Sequence, residues 1–285
     1  MTARILSGTE AAGALLERLK PDVSRLDPLL VVVQVGDHPA SNSYIKKKLE
    51  SCAKIGMRHR HLRLPEQTSF PELLAEIERL NADRDVAGFI VQLPLPAHMR
   101  GKEPLVIRAI EPAKDVDGFT AYNLGKVFLS AEFEHLPPAT SGGVTALLEH
   151  YGIEVAGKHV VVVGRSNVVG KPLAVMLLNR DATVTVCHSK TPDLAVHTRQ
   201  ADILIAAVGS PKMITADMVK PGAVVIDVGL ARDAEGKLAG DVEFDAVKEI
   251  ASAITPVPGG VGPMTVASLL RNCVRAAKRR KEAQA

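Results

Sequence analysis

The chain has 285 residues, with 35 Lys+Arg against 32 Asp+Glu, and at roughly 100–200 residues per domain this length suggests two domains. A formal charge of +3 gives no general reason to bind nucleic acid, and zero Trp with 3% aromatics leaves few stacking platforms for single strands. Cys52, Cys187 and Cys273 are too few and too scattered for a disulfide framework or a four-thiolate metal site.

No uncharged apolar stretch reaches the roughly 18 residues of a membrane span. The opening MTARILSGTE has no long apolar core, so no secretory signal is expected. The one basic run, Lys278-Arg279-Arg280-Lys281, reads as a solvated helix end. The nine histidines are dispersed and form no recognisable metal-ligand cluster, so no metal is expected. A cytoplasmic protein acting on small molecules, with neither nucleic-acid nor membrane partners, is the expectation.

Short β-branched runs alternate with helix-period segments, the pattern of an α/β fold with a parallel sheet. In chain order, Leu29–Val35 reads as a buried strand, and Ser41 reads as the cap of a helix running to about Ile55. A strand over Arg60–Leu64 and a helix over Phe70–Asn81 follow. The strand Val86–Gln92 is then closed by Pro94 and Pro96. The Pro/Gly/Ser/Thr stretch Pro137–Gly143 marks a domain boundary and leads into a helix near Val144–Tyr151. His159–Val163, Thr183–Cys187, Ile203–Ala206 and Ala223–Asp227 read as strands, the first followed by a helix ending near Asn179. The last helix starts at Pro263.

The sharpest local signal is Gly164-Arg165-Ser166-Asn167-Val168-Val169-Gly170, between a four-valine strand and a helix. Glycine lets a backbone approach a pyrophosphate, and a helix N-terminus offers unpaired N–H donors. The spacing is G-x-S-x-x-x-G rather than G-x-G-x-x-G, and a glycine turn is also common as pure architecture. An NAD site usually places a carboxylate about 20 residues further on; here the next strand ends Cys187-His188-Ser189-Lys190. A hydroxyl, Lys190 and Arg165 suit a 2′-phosphate, so NADP is favoured, although these cations also serve to solvate a loop.

In the first half, Tyr44 and Lys48 stand four apart on one helix face, with Lys47 nearly beside them and Lys46 pointing away. Three lysines in a row also read as a solvated face. Tyr-x-x-x-Lys occurs in short-chain dehydrogenases, but there it follows the nucleotide turn, and here it precedes it. Gln92 closes an apolar strand, where α/β sheets place ligand contacts. Lys114-Asp115-Val116-Asp117-Gly118 puts carboxylates on a turn, and Pro256–Thr265 is rigid and glycine-rich.

With these motifs in order over most of its length, the chain closely resembles the methylenetetrahydrofolate dehydrogenase/methenyltetrahydrofolate cyclohydrolase family. The matches are Tyr44…Lys48, Val91-Gln92-Leu93-Pro94, Lys114–Gly118, Gly164-Arg165-Ser166, Cys187-His188-Ser189 and Pro258–Thr265. The resemblance implies a homodimer of two α/β domains with an active-site cleft between them. One is a folate-binding catalytic domain over 1–138, completed by the terminal helix over about 266–285. The other is a Rossmann-like NADP-binding domain over 139–265.

The implied reactions are NADP-dependent oxidation of 5,10-methylenetetrahydrofolate and hydrolysis of the methenyl product to 10-formyltetrahydrofolate. The resemblance assigns the catalytic lysine to Lys48, the stacking tyrosine to Tyr44, the lysine's partner to Gln92 and the pterin anchor to Asp117, with Asp115 the alternative carboxylate. Gly164, Arg165, Ser166, Ser189 and Leu230 become cofactor contacts. Val91, Leu93, Pro258, Gly259, Gly260, Val261 and Gly262 line the folate site.

Hydride transfer needs the two reacting carbons about 3–3.5 Å apart. Hydrolysis needs an amine whose pKa burial and positive neighbours have lowered, and Lys46 and Lys47 are expected to push Lys48 that way. Many family members carry Cys-Thr-Pro where this chain has Ala139-Thr140-Ser141 followed by Gly142-Gly143, which should loosen that loop. A monofunctional dehydrogenase of the same fold and a non-catalytic NADP-binding module are the rival readings.

Overall fold

The computed structural model describes residues 2–233 and 235–283. Its strands are β1 (Arg4–Ile5), β2 (Leu29–Val35), β3 (Arg58–Leu64), β4 (Val86–Val91), β5 (His159–Val163) and β6 (Thr183–Cys187). They continue with β7 (Ile203–Ala206), β8 (Val224–Asp227), β9 (Ala231–Arg232), β10 (Leu238–Ala239) and β11 (Ala253–Ile254). The α-helices are α1 (Gly8–Leu26), α2 (Pro39–Lys54), α3 (Phe70–Ala82), α4 (Glu103–Ala109) and α5 (Ala121–Leu129). After them come α6 (Ala139–His150), α7 (Gly170–Leu178), α8 (Leu194–Thr198), α9 (Phe244–Val247) and α10 (Val261–Glu282). None of the described helices is long and apolar enough to cross a membrane.

The chain forms two compact units. The first comprises Met1–Gly13, Val127–Phe133 and Thr140–Thr265; the second comprises Ala14–Lys126, Glu134–Ala139 and Val266–Ala285. The second unit is built on a parallel sheet in the order β3-β2-β4. Every residue of the central β2 is buried, which is why Leu29–Val35 reads as an unbroken apolar run. On the sheet lies α3, whose start is set by a capping box of Ser69 and Glu72 and whose Leu73, Ile77 and Leu80 pack against Val31, Val33 and Phe89.

The first unit carries a parallel sheet in the order β1-β11-β8-β7-β5-β6. Valines 160–163 of β5 are almost wholly buried in it. After β5 the chain forms β6 on one side, then crosses back to form β7 on the other. That reversal puts a topological switch point at the carboxyl ends of β5 and β7, where α/β sheets bind ligands.

The units differ from the expected ranges 1–138 and 139–265 in two segments and at Ala139, which stays with the second unit. Residues 2–13 go with the first unit because β1 pairs with β11, Arg4 opposite Ala253. Residues 127–133 go with it too, and the Asn179 side chain donates to the Val127 carbonyl at 2.7 Å. Residues 284 and 285 of the expected terminal helix lie outside the described residues.

Three local expectations are corrected. The cap of α2 is His38, with Pro39 at the first helical position; Ser41 sits inside the helix, buried, its hydroxyl donating to the Leu93 carbonyl at 3.4 Å. The last helix begins at Val261, two residues before Pro263. Ala139-Thr140-Ser141 is the first turn of α6 and not a loosened loop: Ala139 and Ser141 are buried, and the Ala139 amide donates to the Asp117 carbonyl at 3.0 Å. Gly143 is needed there, since a Cβ on it would come within 2.9 Å of the Met264 backbone.

Candidate active site

Helix α2 presents Tyr44 and Lys48 on one face, and burial separates the lysines. Lys46 and Lys47 are exposed, Lys46 lying 3.8 Å from Glu50, whereas Lys48 is only 8% exposed. The Lys48 Nζ donates to Gln92 Oε1 at 3.0 Å. Gln92 follows β4 directly, and its backbone amide donates to the Val33 carbonyl at 2.8 Å, which anchors the residue to the sheet. Its Nε2 donates to the Leu93 carbonyl at 2.8 Å, so its oxygen is the atom turned to the amine. Burial lowers the Lys48 pKa, and the nearby Asp117 carboxylate acts against that shift. The depression comes from desolvation and not from the neighbouring lysines.

The two carboxylates on the 114–118 turn have different surroundings. Asp115 is buried and accepts the amides of Gly118 (2.9 Å) and Thr120 (2.7 Å) and the side-chain amide of Asn123 (3.0 Å). It closes the turn and has little capacity left for a ligand. The Asp117 carboxylate makes no hydrogen bond to the described residues, and burial raises its pKa, with Asp115 adding to the rise and Lys48 opposing it. Gly118 adopts φ +77°, and a Cβ there would press on the backbone of Pro137 and Pro138.

The turn is also held from α10. Asn272 donates to the Val116 carbonyl at 3.0 Å and the Pro137 carbonyl at 2.8 Å. Residues 156 and 135 positions apart give no local signal, so sequence reasoning missed Asn272; Asp115 was seen, but as an alternative anchor. Tyr44 is 38% exposed, and its hydroxyl is unbonded among the described residues. Tyr44, Lys48, Gln92 and Asp117 therefore all lie in the second unit, with Val91 buried and Leu93 half-buried beside Gln92.

The remaining candidates lie in the first unit. Gly164 ends β5 at the switch point with φ +123°, and a Cβ on it would run into the Ala207 carbonyl that follows β7. Gly170 opens α7, and a Cβ there would strike the Gly164 carbonyl. Between them the Ser166 hydroxyl accepts the amides of Val169 (3.1 Å) and Gly170 (3.3 Å). Arg165, Ser189 and Leu230 are exposed. The Arg165 guanidinium has no hydrogen-bond or ionic partner among the described residues, and no carboxylate stands at the Ser189 end.

A bare backbone cradle, helix N–H groups, an unpaired guanidinium and a hydroxyl fit a dinucleotide with a 2′-phosphate. Pro258–Gly262 belong to the first unit with them, Gly259 at φ +104° and its carbonyl accepting the Thr9 amide at 3.0 Å; only the Val261–Gly262 end is helical.

Comparison with known proteins matches residues 6–117 to the family described as tetrahydrofolate dehydrogenase/cyclohydrolase, catalytic domain, and residues 138–281 to its NAD(P)-binding domain. A protein of Geobacillus thermodenitrificans named Bifunctional protein FolD is 54% identical over 283 residues, covering 98% of each chain. The crystal structure of the bifunctional methylenetetrahydrofolate dehydrogenase/cyclohydrolase of Campylobacter jejuni superposes with a TM-score of 0.92 at 44% identity, covering 98% of this chain and 99% of that one. The Trypanosoma brucei enzyme complexed with NADP and an inhibitor gives 0.92 at 36% identity, over 99% of both chains.

Proposed function

Because this chain belongs to the tetrahydrofolate dehydrogenase/cyclohydrolase family and is a bifunctional enzyme of it, we propose that Lys48, Tyr44, Gln92 and Asp117 carry its chemistry. It oxidises 5,10-methylenetetrahydrofolate with NADP and hydrolyses the 5,10-methenyl product to 10-formyltetrahydrofolate. NADP, when bound, accepts the hydride from the methylene carbon; Gly164, Arg165, Ser166, Ser189 and Leu230 hold it in our reading. The Tyr44 ring offers a flat face to the pterin. The unbonded Asp117 carboxylate accepts from the amino and ring N–H donors along one pterin edge.

In the hydrolytic step the neutral Lys48 amine takes a proton from the water that attacks the methenyl carbon. It then gives that proton to the ring nitrogen as the C–N bond breaks, and takes up the carbinol O–H proton as the C=O forms, to be released to solvent. Gln92 Oε1 holds the amine in one orientation for these transfers. A cationic substrate beside the amine disfavours the ammonium further. Val91 and Leu93, with Pro258, Gly259, Gly260, Val261 and Gly262, complete the folate-contacting set we propose. The bifunctional relatives leave a monofunctional dehydrogenase the less favoured reading.

The observation that carries this proposal is the buried amine of Lys48 held 3.0 Å from a fixed amide oxygen, with near it a carboxylate that has no hydrogen bond to the described residues. Lys48→Met tests it. A positioned acid–base group contributes about 10²–10⁴-fold, so cyclohydrolase activity should fall by that range while the hydride step, which moves no proton, falls less. Lys47→Met, altering an exposed residue, should leave both activities near the parent rate. Parental hydrolysis by Lys48→Met would overturn the assignment. We further propose that the enzyme works as a homodimer in the cytoplasm, which light scattering of the purified chain and cell fractionation test. The three buried free thiols suit a reducing compartment.

A further inference from the structure

The sheet order β6-β5-β7-β8 gives a bound dinucleotide a direction. Ser189 follows β6, where the 2′-phosphate is read, and the pyrophosphate turn follows β5. The other nucleoside half then lies over the carboxyl ends of β7 and β8. There the backbone is held by two buried carboxylates that the mechanism above does not use. Asp241 is 0% exposed; its Oδ2 accepts the amides of Val208 (2.6 Å) and Gly209 (3.1 Å), and its Oδ1 accepts that of Ser210 (2.8 Å).

Asp227, at the end of β8 and 3% exposed, holds Asp241 in turn. Its Oδ1 accepts the amides of Gly229 (2.9 Å) and Asp241 (3.0 Å), and its Oδ2 that of Val242 (2.9 Å). Two glycines make room for the pair, for a Cβ on Gly229 would meet the Asp241 carboxyl and one on Gly240 the Asp227 carboxyl. Six amides aimed at two buried charges hold a backbone more stiffly than neutral acceptors do. The loop so held, Val208–Ser210, is exposed, and it follows the Ala207 carbonyl that abuts Gly164. The fastening is from beneath, and the free surface faces outward.

We propose that Asp241, fixed by Asp227, is a positioning residue for the nicotinamide half of NADP, setting the backbone of Val208–Ser210 on which that half lies. Hydride transfer depends on this loop and hydrolysis does not. The inference rests on placing the cofactor at Gly164–Ser166 and Ser189.

Asp241→Asn, made in the full chain, tests it, because the amide turns an NH2 toward N–H donors. In the protein without ligand, hydrogen exchange at the amides of residues 208–210 should speed up at least tenfold. The kcat of the NADP-dependent dehydrogenase should fall tenfold or more, with the KM for NADP changed less and cyclohydrolase activity within twofold of the parent. Unchanged dehydrogenase kinetics, or parallel loss of both activities, would overturn the proposal.

Should Asp241→Asn not fold, Gly209→Ala replaces it: Gly209 is exposed at φ +72°, with no atom near its Cβ position, so the substitution strains the loop alone. The same split is expected at a smaller size, and parental rates in both reactions count against the proposal. Arg165→Ala separates this inference from its premise. If the preference for NADP survives that change, the cofactor placement fails and the inference with it. If the preference is lost while Asp241→Asn is silent, only the inference fails.

Discussion

Two carboxylates stand two residues apart on one turn, and their hydrogen bonds divide their tasks. Asp115 uses its oxygens to close the turn, whereas the Asp117 carboxylate is held near Lys48 without a hydrogen bond to the described residues. Asp117→Asn keeps the shape and replaces one acceptor with a donor, a mismatch against the pterin N–H groups costing about 1–3 kcal/mol. Folate affinity, measured by calorimetry, should fall tenfold or more with NADP binding retained. Normal folate affinity in that variant would move the anchor away from Asp117, and Asp115→Asn should instead lower thermal stability. Arg165 is the complementary case, an exposed guanidinium with no partner among the described residues. A charge-assisted hydrogen bond is worth roughly 1.5–3 kcal/mol, so Arg165→Ala should weaken NADP binding tenfold or more and NAD binding much less. Equal loss for the two cofactors would show that Arg165 does not read the 2′-phosphate.

At the scale of the element, the Gly164–Gly170 turn shows why its spacing departs from G-x-G-x-x-G. Gly164 is required by its φ of +123° and by the Ala207 carbonyl, and Gly170 by the Gly164 carbonyl against which α7 is packed. The middle position needs no glycine; there Ser166 accepts two amides of the helix start. Gly164→Ala combines an unfavourable φ, costing about 1–3 kcal/mol, with a collision that must displace the β5–α7 turn or the β7 end. Titration with NADPH should show affinity lowered more than tenfold, while cyclohydrolase activity persists. Loss of both activities would mean that the turn supports the whole fold.

At the scale of the molecule, buried charge sets a pH dependence. Burial raises the Asp227 pKa from 3.8 to about 6, and its amide donors and the neighbouring Asp241 are part of that balance. The folded chain then binds more protons than the unfolded one between these values, so this group's contribution to stability is complete below about pH 4 and is lost as pH rises through 6. A rise of this size corresponds to roughly 3 kcal/mol. Urea unfolding at several pH values, compared with Asp227→Asn, should show the parent losing stability relative to the variant between pH 4 and 7. A difference that stays flat across that window would show that Asp227 does not titrate there.

Period and composition by themselves determined the α/β class, most strands to within two residues and the glycine turn between β5 and α7, because a buried parallel strand must be a continuous apolar run and a turn with close backbone approach must spare its side chains. They also placed Tyr44 and Lys48 on one face, since helical spacing is local. The choice between Lys47 and Lys48 came from family resemblance in the sequence and from burial in the fold. Family resemblance also chose Asp117 over Asp115, but only the tertiary structure supplies a physical difference between them, since hydrogen-bond occupancy depends on Gly118, Thr120 and Asn123 folding back on one carboxylate and not the other. It alone brought Asn272 to the 114–118 turn and Asp241 to the Val208–Ser210 loop, and it assigned β1 to the first unit. Those contacts join residues far apart in the chain, where periodicity carries no information and chain packing selects the partner.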